Sequence, residues 1–236
     1  MTNIRHRRPL PIDDRCRIIE ILDRLSAEFE LWKYRSKDPF EVLVQTVLSQ
    51  NTNWRNTKLA FDRLMQKFRK PEQLAQADRR EIQRLIEPAG LHQMKSARLK
   101  QIAQIVCKKY GGDLRKVVRK PIEEARRELL ALPGVGYKTA DCVLLFAGGR
   151  DVLPIDTHIF RVAERLGFTS AEDGYEEVRT RLEALIPSGR RGEAHILLIQ
   201  HGRRYCRARV PLCGNCPIQD LCFYPLKRTN LPCAQV

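Results

Sequence analysis

The stretch Leu132-Pro-Gly-Val-Gly-Tyr-Lys-Thr-Ala140, with Ile155-Asp-Thr-His158 after it, decides how this chain folds. It sets a glycine turn, a lysine amine and a carboxylate within 25 residues of one another. The pattern reads as helix, tight turn, helix. Pro121 suits the first position of the leading helix, where no amide hydrogen is needed. Glu123 and Glu124 in its first turn favour the positive end of the dipole. Leu129, Leu130 and Leu132 give it an apolar side. Gly134 and Gly136 permit backbone angles closed to other residues and let another backbone come close. The second helix is expected over 137–147, with Ala140, Val143, Leu144 and Ala147 on one face. At its start the amides of Gly134, Gly136 and their neighbours have no helical partner, so they can point at a phosphate that the dipole also favours. Spacing alone leaves an ordinary helical hairpin with a glycine turn as the competing reading.

Charge shifts that balance. The 236 residues carry 43 Lys plus Arg against 28 Asp plus Glu, a formal charge of +15, spread along the whole chain. Such a surplus attracts a polyanion, nucleic acid first. No strongly amphipathic Lys-rich helix suggests a membrane surface, and no apolar run is long enough to span one. Aromatic residues are few, which argues against a stacking platform for single strands. Met1–Arg8 has no apolar segment after it and reads as a short basic arm rather than a secretory signal.

Outward from the hairpin the pattern is almost entirely helical. Apolar residues at helical spacing predict helices over 13–29, from Pro39 onward, and over 53–68, 78–87, 93–110, 156–166, 173–186 and 191–204. Leu99, Ile102 and Ile105–Val106 mark the core side of the 93–110 helix. Pro71, Pro88 with Gly90, Gly111-Gly112, Gly148-Gly149 and Pro187 punctuate them. Val152–Ile155 is too short and isolated to make a sheet. The weakest seams, Lys33–Asp38 and Gly148–Pro154, divide the chain into a central domain, 33–150, and a second lobe of 1–32 plus 151–236. The fold class is therefore all-α in two helical lobes, and a cleft between lobes is a common place for a site.

Cys206, Cys213, Cys216 and Cys222 crowd into 17 residues with spacing x6, x2, x5. Four thiolates so close suit tetrahedral zinc or a cubane iron–sulfur cluster, and the spacing leaves the two open. Cys16, Cys107 and Cys142 sit alone in apolar helical contexts and read as small hydrophobes; Cys233 receives no role. Arg207 and Arg209, within the cysteine loop, either face DNA phosphates or are simply solvated.

Lys138 lies in the first turn of the second hairpin helix, where amide dipoles disfavour the ammonium form and expose a nucleophile able to form a Schiff base. A lysine in that place can equally bind phosphate as a plain charge. Asp156 is a favoured helix N-cap, and a capping carboxylate still has a second oxygen to present to a substrate. His158 reads as a structural hydrogen-bonding residue.

Together, Leu132–Gly136, Lys138, Asp156-Thr-His-Ile-Phe-Arg-Val162 and the spaced cysteines resemble the endonuclease III family of helix-hairpin-helix DNA glycosylases, from about Pro39 to Tyr224. The resemblance implies a [4Fe–4S] cluster on Cys206, Cys213, Cys216 and Cys222. It implies Lys138 as the amine that attacks C1′ of a flipped-out nucleotide, Asp156 as the carboxylate that supports it, and Leu132, Gly134 and Gly136 as the DNA-binding hairpin. The partner would be double-stranded DNA with a damaged base or abasic site, met by a monomer in a prokaryotic cytoplasm at the nucleoid.

The chain departs from the family around Leu48-Ser-Gln-Asn-Thr-Asn-Trp54. Ungapped matching puts Asn51 where the family has a glutamine that fills the hole left by the flipped base, with Gln50 one place earlier. Trp54 replaces an aspartate often found there. Leu91 matches the family's wedge leucine, and a buried core leucine is the competing reading. Tyr137 stands where many relatives carry other residues. The expected activity is a bifunctional glycosylase and abasic-site lyase for oxidised pyrimidines. Alkylated purines or mismatched thymine and uracil are the first alternative, since Gln50–Asn53 resembles relatives that remove alkylated purines. A non-catalytic iron–sulfur DNA-binding protein is the second, and it would need neither Lys138 nor Asp156.

Overall fold

A computed structural model describes residues 13–31 and 38–224; the basic arm Met1–Arg8 and Cys233 lie outside them. Among the described residues all regular structure is helical. The helices are α1 (Asp14–Glu28), α2 (Pro39–Ser49), α3 (Trp54–Lys67), α4 (Pro71–Gln76), α5 (Arg79–Ile86), α6 (His92–Tyr110), α7 (Arg115–Val118), α8 (Ile122–Leu130), α9 (Tyr137–Phe146), α10 (Thr157–Leu166), α11 (Tyr175–Leu185) and α12 (Arg191–Arg204), with short 3-10 turns at Glu87–Ala89, Cys213–Asn215 and Gln219–Leu221. Of the described residues, 13–31 and 155–224 form one compact unit and 38–154 another.

In the 38–154 unit, α2 is the central rod. Phe40, Val42, Leu43, Val44, Val47 and Leu48 are all buried, so its apolar residues wrap most of its circumference and it packs on α3, α6 and α9. Asp38 starts it, accepting from the amides of Phe40 (2.9 Å) and Glu41 (3.2 Å). Two short helices, α4 and α7, lack a readable period. Pro71, expected to break structure, opens α4 at a first-turn position. Pro121 sits one place earlier than its pattern suggests: it is the N-cap of α8, with extended backbone, and Ile122 begins the helix.

A buried ion pair fastens the two helices of the hairpin. Arg126 of α8 donates from Nε to Asp141 Oδ1 of α9 at 2.8 Å, with both side chains almost wholly buried. Asp141→Ala is expected to lower unfolding free energy by about 3 kcal/mol in urea titration, since the buried guanidinium loses its buried carboxylate partner. The value sits at the low end of that range because Arg126 keeps Glu123.

In the other unit, α10 packs on α12 and α1 lies against α11 and α12. Arg17 of α1 is buried and donates to the carbonyls of Leu166 (2.7 Å) and Leu221 (3.1 Å). Its guanidinium lies 4.0 Å from the Phe168 ring centroid. One arginine thereby joins α1, the end of α10 and the cysteine-bearing tail.

Candidate active site, exposed loops and cysteine pocket

The hairpin turn is built as its glycines require. Gly134 has φ +72°, a backbone conformation that favours glycine, and a Cβ there would displace the flexible end of the Arg98 side chain. Val135 donates to the Leu132 carbonyl (3.2 Å) to close the turn. Gly136 is the N-cap of α9, with no side chain capping it. Among the described residues the amides of Gly134 and Gly136 donate to nothing, so a pair of exposed N–H groups stands at the positive end of α9. Leu132 is different: its side chain is buried, its amide donates to Leu129 and its carbonyl accepts from Val135. Its side chain packs the turn from inside.

Lys138 follows in the first turn of α9, half-buried. No hydrogen bond or ion pair holds its amine among the described residues. Asp156, in the 155–224 segment, caps α10: Oδ1 accepts from the amides of His158 and Ile159, each at 2.9 Å. Its Oδ2 accepts nothing among the described residues. The cap therefore fixes one oxygen and leaves the other available. His158 is structural, its Nδ1 accepting from Arg161 (3.0 Å). Burial pushes its imidazole below the usual range.

Two loops of the 38–154 unit carry Gln50, Asn51 and Leu91. Asn51 (φ 54°) and Leu91 (φ 47°) are the non-glycine residues with left-handed backbone among those described. That conformation costs a residue such as Leu91 about 1–2 kcal/mol, while asparagine adopts it more readily, and such cost concentrates at functional places. Leu91 is 50% exposed, which rejects the core reading for it. Gln50 donates from Nε2 to the Gly134 carbonyl at 3.3 Å, linking its loop to the hairpin. Trp54 and Tyr137 are also exposed.

Sequence reasoning missed Lys95. Its side chain has no exposure, yet Nζ donates to three carbonyls: Leu48 (2.8 Å), Gln50 (2.6 Å) and Ala89 (2.9 Å). Burial lowers its ammonium to about 8. A signal was present: Lys95 lies one turn before Leu99, on the core face of α6.

The four cysteines line one pocket with Leu166, Pro211, Leu212, Tyr205 and His201. Arginines from α10 hold the loop around it. Arg161 donates to the Cys206 carbonyl (2.9 Å), and Arg165 to those of Arg207 (2.7 Å) and Ala208 (2.9 Å). The same Arg165 lies 3.4 Å from Cys206 Sγ, a positive charge set against a thiol. Burial pushes the Cys216 thiol up to about 11 and the buried His201 imidazole down to about 4. The pocket thus offers four sulfur donors, an apolar wall and one compensating cation, a set that fits a thiolate-bound metal group. Among the described residues no three His, Cys, Asp or Glu side chains form a group that would hold a single metal ion. Arg207 and Arg209 are exposed.

Residues 44–188 match the HhH-GPD superfamily base excision DNA repair protein family. Endonuclease III of Thermotoga maritima is 35% identical over 195 residues, which cover 83% of this chain and 87% of that protein. A trapped endonuclease III–DNA covalent intermediate superposes with a TM-score of 0.80 at 31% identity, covering 92% of this chain and 99% of that one. A thermostable thymine-DNA glycosylase superposes with a TM-score of 0.78 at 26% identity, covering 91% and 97%.

Proposed function

This chain belongs to the HhH-GPD superfamily of base excision DNA repair proteins, and we propose that it is a bifunctional DNA glycosylase and abasic-site lyase acting on oxidised pyrimidines in double-stranded DNA. One observation carries the reading: an unpaired amine, Lys138, stands in the first turn of a helix whose leading glycine amides are themselves free. The amides of Gly134 and Gly136 hold a backbone phosphate, and the net charge of +15 draws the duplex in. Asn51 fills the gap in the base stack and Leu91 wedges it. The damaged nucleotide leaves the stack, because its C1′ is out of reach inside it.

The chemistry follows from the two side chains. As the C1′–N bond breaks, the base departs with the electron pair and takes up a proton. Asp156 supports the positive charge left on the sugar and helps to deprotonate Lys138. The Lys138 Nζ forms the new bond to C1′, and opening of the sugar ring gives a protonated Schiff base. Loss of a proton from C2′ then breaks the C3′–O3′ bond, cutting the strand 3′ to the lesion, and water releases the lysine.

Cys206, Cys213, Cys216 and Cys222 would hold a [4Fe–4S] cluster. Four thiols lining one pocket suit such a group, and the family resemblance favours it over zinc, which the cysteine spacing leaves open. When bound, it would cross-link the loop that carries the exposed Arg207 and Arg209. We assign the domains as 33–150 and 1–32 plus 151–236, a division supported by the compact units. The protein would act as a monomer on nucleoid DNA in a prokaryotic cytoplasm.

Borohydride trapping on a duplex with one thymine glycol tests the reading. A covalent protein–DNA adduct is expected. An adduct only on an abasic duplex would keep the lyase and move the lesion to mismatched thymine, the base in the name of the 26% identical glycosylase, or to alkylated purines. No adduct on either would leave a DNA-binding protein without catalysis.

A further inference from the structure

We propose that Lys95 is a positioning residue for DNA interrogation: its buried ammonium ties the loop of Gln50 and Asn51 to the loop of Leu91, so that both meet a duplex as one rigid edge. The proposal rests on the repair reading above, in which Asn51 and Leu91 enter the base stack.

The geometry supports it from several sides. Leu48 and Gln50 supply carbonyls at the C-terminal end of α2, which the helix itself leaves unbonded. Ala89 supplies the third, from the end of the 3-10 turn that leads into Leu91. The Lys95 amide also donates to the Leu91 carbonyl at 2.9 Å. Lys95 is thus bonded to both loops, and each loop ends in a residue held in the left-handed region, Asn51 and Leu91. Gln50 extends the chain of bonds to the Gly134 carbonyl, so the phosphate-facing turn is joined to the same edge.

An ordinary helix-end cap needs one or two carbonyls of its own helix. Lys95 instead spans two elements, and the residues it steadies are exposed and held in the left-handed region, a costly conformation for Leu91. Left-handed backbone at non-glycine residues persists only where surrounding structure over-determines it. The three carbonyls provide that constraint, and the desolvated ammonium cannot leave without stranding all three.

The test uses abasic DNA, so it does not depend on which lesion is excised. Borohydride trapping is measured on an abasic site in a duplex and on the same site in a single strand, where there is no opposite base to replace and no stack to wedge. Lys95→Met is expected to slow duplex trapping about 100-fold, the scale of a misplacement near 1 Å, and to leave single-strand trapping unchanged. In an Asn51→Ala, Leu91→Ala background the same substitution should add nothing, because the residues it positions are gone. Should Lys95→Met not fold, Lys95→Gln retains two donors and should show a smaller loss with the same duplex selectivity. Equal losses on both substrates, or an undiminished effect in the doubly substituted background, would overturn the role of Lys95 alone. A wild type that traps neither substrate would overturn the repair reading, and this proposal with it.

Discussion

Lys138→Gln is expected to abolish borohydride trapping and strand cleavage, lowering the rate by at least ~10³-fold, while duplex binding persists. Glutamine is close in length and cannot form a Schiff base. The groups that would hold DNA are elsewhere: the free amides of Gly134 and Gly136, and the basic surface. Nothing among the described residues depends on the Lys138 amine for a hydrogen bond, so its loss leaves no buried partner stranded and the fold should hold. Gel-shift titration on an abasic duplex beside the trapping assay separates the two effects. Cleavage that survived the substitution would place the nucleophile on another residue.

If the proposed cluster is present, the purified protein is expected to be yellow-brown with broad visible absorption, and Cys216→Ser to remove that colour and to lower stability by about 3–5 kcal/mol, read as a fall in the urea midpoint. The magnitude comes from what the loop holds rather than from the sulfur alone. Arg165 and Arg17 are buried guanidiniums satisfied by carbonyls of Arg207, Ala208 and Leu221. A loop freed at its thiols withdraws those carbonyls and leaves the charges inside with fewer partners. Cys142, buried in α9 and not among the residues that line this pocket, is the control whose change to serine should leave the colour intact. A colourless wild type with one zinc would reject the cluster assignment.

Much of this was legible in the chain because it is written locally. The turn needs glycine at 134 for a positive φ, the cap at Asp156 bonds residues two and three places on, and the cysteines lie within 17 residues. Features set by distant pairing were not. The carboxylate opposite Arg126 is 15 residues away, and only folding shows that both are buried. Lys95 takes carbonyls from residues 45 and 47 places distant, and a lysine on an apolar face gives no hint of what it will meet. Leu91 carried two readings that sequence could not separate; exposure and a left-handed backbone decide between them. The helices α4 and α7 span six and four residues, too few for periodicity to show. Pro71 could equally end one element or begin the next.

The described units also have an order of manufacture. Residues 38–154 are contiguous, so that unit can fold while the ribosome is still adding the rest. α1 cannot find its place then. Arg17 bonds Leu166 and Leu221, 149 and 204 residues further along the chain. At the usual pace of translation the second of these emerges about 10–40 s after Arg17. Until then α1 carries a cation and the apolar face of Ile18, Ile21, Leu22 and Leu25 with no place to bury them. The nascent chain therefore passes through a stage in which the 38–154 unit is complete while its first helix still shows an apolar face to water.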